Sequence, residues 1–307
     1  MRAPRILAIG LAALPLSLLP DQPARADCGS IPFKPWVSVF EPNQRALIAF
    51  DGREEILLLS TDLSSSEPTN VLEVIPFPNE PAVKKGDVDV FYQATELINR
   101  KLFPTKSGRF GGAGGFGGLA MEPGPPPPAG EVTFHKRIGA HDVSVTRVLD
   151  ATRFVDWVDD YLRRAGVDNP TIPVALREVV EEYLRDGFDW FVFNVVELGT
   201  ETLTKEALQY RFKTRSLYYP LRITRTETGD TTVRLLILSP QLVRMPDLGR
   251  VKVELVHRPV TVDRGELKDL DKDLHGFLRN YSRTLLRIWE IRGPLAGFQR
   301  DVVTGYQ

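Results

Sequence analysis

Gly112, Gly114 and Gly117 have the G-x-G-x-x-G spacing that binds a pyrophosphate in dinucleotide-binding proteins. That chemistry requires a strand before the glycines and a helix directly after them, so that the helix N-terminus meets the phosphates. Here a predicted helix precedes the glycines, and four prolines follow at 125–128, where no helix interior can form. Because nine glycines lie within residues 107–130, such a triplet is expected by chance. We therefore predict no cofactor.

Histidines could carry proton transfer or bind a metal, but their spacing matches no metal motif, since no H-x-x-x-H or H-E-x-x-H unit occurs. His135 and His141 could meet across a hairpin, with Asp142 beside them. This group lacks a nucleophile and a third ligand. His135, His141 and Asp142 are a candidate polar site, and the alternative is a purely structural role.

Asp269, Asp271 and Asp273 resemble the start of a calcium loop, but Leu274 stands where that loop requires glycine. We expect these aspartates to form the wet face of a helix, and we predict no metal site. Nucleophilic catalysis has equally little support, because no G-x-S-x-G motif occurs and the one cysteine, Cys28, lies in a predicted tail.

Basic residues alternate with aromatic ones along LQYRFKTR at 208–215, which places Arg211, Lys213 and Arg215 on one face of a strand. Arg222 lies on the next predicted strand and Arg234 on the one after it. If these strands pair, their cationic face could bind an anionic envelope polymer or a phosphate-bearing ligand. The alternative is that the arginines cover an exposed sheet and pair with nearby Glu and Asp side chains.

Strands and helices that position these residues occur in groups. Residues 45–62 predict a hairpin, residues 70–78 a third strand, and residues 87–103 a helix with Asp87 as its cap. Residues 131–150 predict a second hairpin with its turn at Gly139, two amphipathic helices follow, and residues 188–198 predict a central strand with both faces covered. Further strands are predicted at 208–215, 218–226, 231–239, 250–259 and 285–293, with a hairpin turn at Gly229 and a last helix starting near Asp263.

This grouping predicts an α+β fold, with mixed or antiparallel sheets covered by about four amphipathic helices. Residues 104–130 are rich in glycine and proline and predict a long disordered insertion that acts as a linker. We expect it to separate a strand–strand–strand–helix subdomain at 27–103 from a larger α+β domain at 131–307.

The N-terminal residues predict export. Two arginines precede an apolar run at 6–19, and Ala24 and Ala26 are small residues at the positions that signal peptidase reads. We predict a signal peptide at 1–26, cleaved after Ala26, with a retained N-terminal anchor as the alternative. The run is shorter than the ~20 apolar residues of a membrane span. The mature protein is therefore predicted to be soluble and periplasmic or secreted, with no membrane span.

Composition limits the partners and the means of stabilisation. The chain has 39 basic and 40 acidic residues, and removal of residues 1–26 takes away three arginines and one aspartate, which moves the net charge from −1 to −3. Nucleic-acid binding usually requires a strongly basic domain, so we predict no nucleic-acid partner. Cys28 cannot form an intrachain disulfide, although it could be free or paired between chains.

Five ordered blocks carry a family resemblance: they lie at 43–81, 87–97, 138–166, 180–198 and 208–224, and include DVDVFYQATEL and VEEYLRDGFDWFVFNVVEL. In these blocks the chain resembles a family of exported bacterial proteins catalogued as domain of unknown function 2330. The similarity extends from Cys28 to about Ser239. It implies export and a shared fold, and it brings no catalytic or ligand residues to this chain.

Three functional hypotheses follow. The first is an exported α+β protein that works by binding an anionic envelope polymer or another envelope protein, without enzymatic activity. The alternative is an extracytoplasmic hydrolase or metal-dependent enzyme whose site is assembled from residues distant in sequence. A third is a structural protein that uses the glycine–proline segment as a tether. The sequence leaves the ligand and the oligomeric state open.

Overall fold

The computed structural model describes residues 29–103 and 131–306, apart from the single positions 35, 38, 165, 168, 169, 171, 202, 205 and 228. The predicted signal peptide, Cys28 and the predicted insertion at 104–130 lie outside the described residues.

Strands dominate the described part of the chain. In chain order they are β1 (Gly29–Pro32), β2 (Val39–Phe50), β3 (Glu54–Ser65), β4 (Thr69–Phe77), β5 (Ala82–Lys85), β6 (Glu131–Ile138), β7 (His141–Arg147), β8 (Trp190–Leu198), β9 (Leu203–Thr204), β10 (Leu208–Lys213), β11 (Leu217–Tyr219), β12 (Asp230–Ser239), β13 (Lys252–Leu255), β14 (Val260–Val262), β15 (Thr284–Pro294) and β16 (Val302–Thr304). The α-helices are α1 (Asp89–Leu102), α2 (Ala151–Arg164), α3 (Val174–Arg185), α4 (Arg264–Leu270) and α5 (Lys272–Leu278). Short 3-10 helices occur at Arg222–Thr226 and Leu295–Gly297.

Two large sheets organise these strands. The first sheet is antiparallel throughout, with the order β1–β4–β8–β7–β6. The second sheet is mixed, with the order β13–β15–β12–β2–β3–β10–β5, and its parallel pair is β2 with β12. Strand β14 pairs with β15, β9 pairs with β3, and β11 and β16 form a small separate sheet. The prediction of an α+β fold with mixed or antiparallel sheets is therefore confirmed.

The apolar side chains show a four-layer arrangement. One core cluster joins the facing sides of the two sheets and includes Ile48 and Val192. A second cluster lies between the other side of the second sheet and helices α1, α4 and α5, and a third lies between the first sheet and helices α2 and α3. Both sheets contain strands from each side of residues 104–130, so the two parts of the chain share one core.

Most predicted elements are confirmed. The N–H of Asp89 donates to the Asp87 carboxylate at 2.9 Å, as the predicted cap requires. Gly139 makes the turn of the β6–β7 hairpin with φ 59°, a conformation that glycine adopts readily. Strand β8 lies inside the first sheet, and its Phe191 and Val192 are fully buried on opposite faces. Asp263 and Glu266 form the predicted capping box at the start of α4.

Two predictions are wrong. Residues 218–226 are not one strand, because only β11 is extended and Arg222–Thr226 form a 3-10 helix, so Gly229 is not a turn between paired strands. The last helix is divided into α4 and α5, since Asp271 is extended and its carboxylate accepts the N–H groups of Asp273 and Leu274, both at 2.8 Å. The described residues therefore contain five α-helices rather than about four.

Candidate ligand-binding groove

An open groove of about 690 Å³ lies between β6, an edge strand of the first sheet, and β5, an edge strand of the second. Thr133 and Phe134 of β6 line one side, and Ala82 and Val83 of β5 line the other. The groove is also lined by Glu54, by residues 79–81 between β4 and β5, by Trp190, and by residues 211–213 of β10. It is therefore assembled from the edges of both sheets.

Aromatic side chains form the apolar part of the groove. Phe212 is 2% exposed and belongs to the core between the sheets, whereas Phe134 and Trp190 pack against that core and are only partly buried. The Arg147 guanidinium lies 5.9 Å from the centre of the Trp190 ring and bonds the Asp189 carboxylate at 2.7 Å. The groove thus offers partly exposed rings at the rim of a well-packed core.

Charged side chains surround these rings. The Arg211 guanidinium donates to the Glu54 carboxylate at 2.6 Å and lies 5.4 Å from the centre of the Phe277 ring. Lys213 is exposed and has no ion pair within the described residues, while its carbonyl accepts the Asn79 amide at 2.9 Å. Glu54 neutralises Arg211, so the charges of the groove lining that have no ion pair within the described residues are those of Lys213 and Glu80, which are both exposed.

The five predicted cationic residues do not share one face. Arg211 and Lys213 line the groove and Arg215 is exposed just after β10, but Arg222 belongs to a 3-10 helix and Arg234 to β12, with two strands between β10 and β12. Arg234 donates to the Glu290 carboxylate at 2.8 Å. For Arg211, Arg222 and Arg234 the structure shows the alternative that the sequence left open, pairing with carboxylates, while Lys213 and Arg215 are exposed without an ion pair within the described residues.

Arg222 is instead part of a partly buried ionic cluster between α3 and the C-terminal residues. Its guanidinium donates to Asp186 at 2.6 Å and lies 4.1 Å from the centre of the Tyr183 ring. The buried Asp301 carboxylate accepts both the Tyr183 hydroxyl and the Arg222 backbone N–H at 2.7 Å. Burial raises the pKa of Asp301, and the contacts with Arg222 and Tyr183 oppose that rise. These contacts hold the 3-10 helix in place and leave Arg222 unavailable to a ligand.

The histidines of the candidate polar site separate. His135 bonds the Asp142 carboxylate at 2.8 Å, as the hairpin predicts. His141 precedes Asp142 on β7, so its side chain points to the opposite face of the sheet. There it is buried, with Asn194 3.1 Å from one ring nitrogen and the Glu206 carbonyl 3.0 Å from the other. The structure therefore brings His135 and Asp142 together and excludes His141 from them.

A buried polar row continues from His141 and was not predicted from the sequence. The Asn194 amide donates to the Glu73 carboxylate at 2.5 Å and also faces His141. Because the Glu206 carbonyl can only accept, the facing nitrogen of His141 carries a proton. The row joins β4, β8 and β7 across the first sheet, and its members come from three distant parts of the sequence.

The three aspartates at 269–273 differ in their surroundings, and Asp269 and Asp273 are exposed on α4 and α5 as predicted. Asp271 caps α5 rather than lying on the wet face of a continuous helix, and Asp273 pairs with Lys84. Within the part of the chain that the structure describes, no group of three or more His, Cys, Asp or Glu side chains could hold a metal ion. The predicted absence of a metal in the whole protein stays a prediction.

A model of the family described as "Uncharacterized protein conserved in bacteria", domain of unknown function 2330, matches residues 22–283. The chain belongs to this family. No curated protein matches it. Among solved structures, baculovirus P35 is similar over 90% of this chain and 99% of its own, with a TM-score of 0.43 and 10% identity. A mutated baculovirus P35 after caspase cleavage is similar over 86% and 97%, with a TM-score of 0.41 and 7% identity.

None of the helices at 29–103 or 131–306 is long and apolar enough to cross a membrane.

Proposed function

We propose that this protein is exported to the bacterial cell envelope and there binds an extended anionic ligand in the groove between the two sheets. The observation that carries the proposal is the combination of partly exposed Trp190 and Phe134 with the available cation of Lys213 in one concave surface. Binding sites commonly join an apolar lining to a few polar groups that fix orientation. The groove is open at the surface, which suits a chain better than a small enclosed molecule.

The charges of Lys213 in the groove and of Arg215 just after β10 favour an anion, and they are opposed by Glu80 of the groove lining. Lys213 and Arg215 are both exposed and lack ion pairs within the described residues, whereas Arg211 is paired with Glu54. Exposed cations increase the rate of association with an anion and weaken in effect as salt increases. The proposal therefore expects salt-sensitive binding that depends on Lys213 and Arg215.

Fluorescence anisotropy with labelled dextran sulfate as the probe tests the groove. We expect the double substitution Lys213→Glu and Arg215→Glu to weaken binding about tenfold at low salt, since two attractive charges become repulsive. The double substitution Arg153→Glu and Arg177→Glu is the matched control with the same change in charge, because these arginines are exposed on α2 and α3 and have no ion pair within the described residues. Equal affinities for the double variant at Lys213 and Arg215 and for the control would contradict a role of the groove.

Export is a separate part of the proposal and rests on the predicted signal peptide. We expect the full-length chain, expressed in a bacterial host, to be recovered from the periplasm or medium with Asp27 as its first residue. Intact-mass measurement of the fractionated protein checks both points. Recovery of the uncleaved chain from the cytoplasm would overturn export without affecting the groove.

A further inference from the structure

We infer that the ligand of the groove is an acidic peptide segment in extended conformation, which joins the first sheet as an additional strand along the edge of β6 that no described strand occupies. This inference rests on the proposed binding function and specifies its ligand. Strand addition to a sheet edge obtains affinity from main-chain hydrogen bonds and specificity from alternate side chains.

The edge of β6 has backbone groups available for such a strand. Within the described residues β6 pairs with β7 alone, and Ile138 and His141 flank the two-residue turn of the hairpin. Residues that flank such a turn bond each other, so Ile138, Lys136 and Phe134 direct their backbone groups toward β7. The intervening residues His135 and Arg137 therefore direct their N–H and C=O groups away from the sheet.

The side chains of β6 that point between the sheets indicate what an added strand would cover. Phe134 and Ile138 point into the space between the sheets, and Phe134 is only partly buried there. An added strand would place every second side chain on the same side as Phe134, opposite Val83 of the second sheet. Apolar side chains at those positions would complete the packing at the rim of the core.

The charges on β6 favour an acidic peptide over a basic one. Arg137 is exposed without an ion pair in the described part of the chain, and it lies on the face of β6 opposite to Phe134, which the acidic side chains of the added strand would share. Lys136 is exposed on the same face as Phe134, where the apolar side chains of the added strand would lie. Lysine and arginine on an edge strand oppose pairing with a second copy of the same edge, because like charges would lie together. An acidic strand meets no such repulsion, so the peptide is expected to alternate apolar and acidic residues.

A short labelled peptide in which valine and glutamate alternate is the probe, and binding is followed by fluorescence anisotropy with the intact protein. Two further peptides carry N-methyl groups on either all valines or all glutamates. When the valines point into the groove, either the valine amides or the glutamate amides face β6, but not both. We expect one methylated peptide to lose binding and the other to retain it, and we expect a valine–lysine peptide to bind at least about tenfold more weakly.

Arg137→Pro tests the same edge from the side of the protein. Its N–H points away from β7, so proline removes an outward donor and keeps the β6–β7 hydrogen bonds. Arg137→Ala is the matched control, since it removes the same charge and keeps the N–H. We expect the proline variant to bind the peptide several-fold more weakly than the alanine variant, with both unfolding at similar urea concentrations.

The outcomes separate this inference from the proposed function. Equal binding of both methylated peptides, or equal binding by Arg137→Pro and Arg137→Ala, overturns strand addition. Dextran sulfate binding that depends on Lys213 and Arg215, together with no peptide binding, overturns the peptide as ligand and retains the groove as a site for an anionic polymer. Absence of both kinds of binding overturns both proposals.

Discussion

Glu55 is a carboxyl group enclosed in the protein core, and its surroundings favour the protonated form. Its side chain is fully buried, and one carboxyl oxygen accepts the backbone N–H of Tyr218 at 2.7 Å. The other oxygen has no hydrogen-bond partner within the described residues. Burial raises the pKa of Glu55 well above its ordinary value, and the Tyr218 N–H only partly opposes this rise. The folded protein therefore retains this proton at pH values where the unfolded chain has lost it.

Stability should consequently fall as pH rises above the ordinary pKa of glutamate. At pH values between the pKa of Glu55 in the unfolded chain and its pKa in the folded protein, the free energy of unfolding falls by about 1.4 kcal/mol for each pH unit because of this group. Glu55→Gln removes the titrating group and retains an oxygen that can accept the Tyr218 N–H. We expect urea unfolding between about pH 5 and pH 8 to show a steeper decline for the wild type than for the variant.

Other titrating groups, including buried Asp301, are present in both proteins, so the difference between the two curves isolates Glu55. Parallel curves would mean that Glu55 titrates at similar pH values in the folded and unfolded chains.

Elements with strong local patterns were predictable from the sequence. The β6–β7 hairpin, helix α1 and the capping box of α4 each depend on residues a few positions apart. The predicted strand at 218–226 is wrong because the conformation of this segment depends on residues far away in the sequence. Their alternation resembles a strand, but Asp301, far along the chain, accepts the Arg222 N–H and the Tyr183 hydroxyl and fixes a 3-10 helix. Long-range partners of this kind override local preference.

The residues of the candidate groove were also only partly predictable from local sequence patterns. Lys213 and Arg211 were singled out because they alternate along one strand, and this local signal placed two groove residues correctly on β10. Trp190 and Phe134 carried no local signal, because an aromatic residue in an apolar strand is ordinarily part of the core. Their partial exposure arises only where the edges of two sheets lie beside each other.

The whole molecule depends on strand pairing between the two parts of the chain. Strand β2 pairs with β12, β3 pairs with β10, and β4 pairs with β8, so residues 29–103 contribute strands inside both sheets. The sequence-based division into 27–103 and 131–307 treats these parts as separate units. Pairing of this extent predicts one cooperative unit instead, because either part alone would expose apolar sheet faces and unpaired strand edges.

Co-expression of residues 27–103 and 131–307 as two chains tests this prediction. We expect the chains to co-purify and to unfold in one transition, because β2 and β4 recover their partners only in the complex. Each fragment expressed alone should be aggregated or unfolded, since removal of β2 and β3 separates β12 from β10 in the second sheet. Circular dichroism and thermal denaturation of the separate and combined chains provide the measurement. A cooperative transition for either fragment alone would show an independent domain and would favour the division at 104–130 over a single shared core.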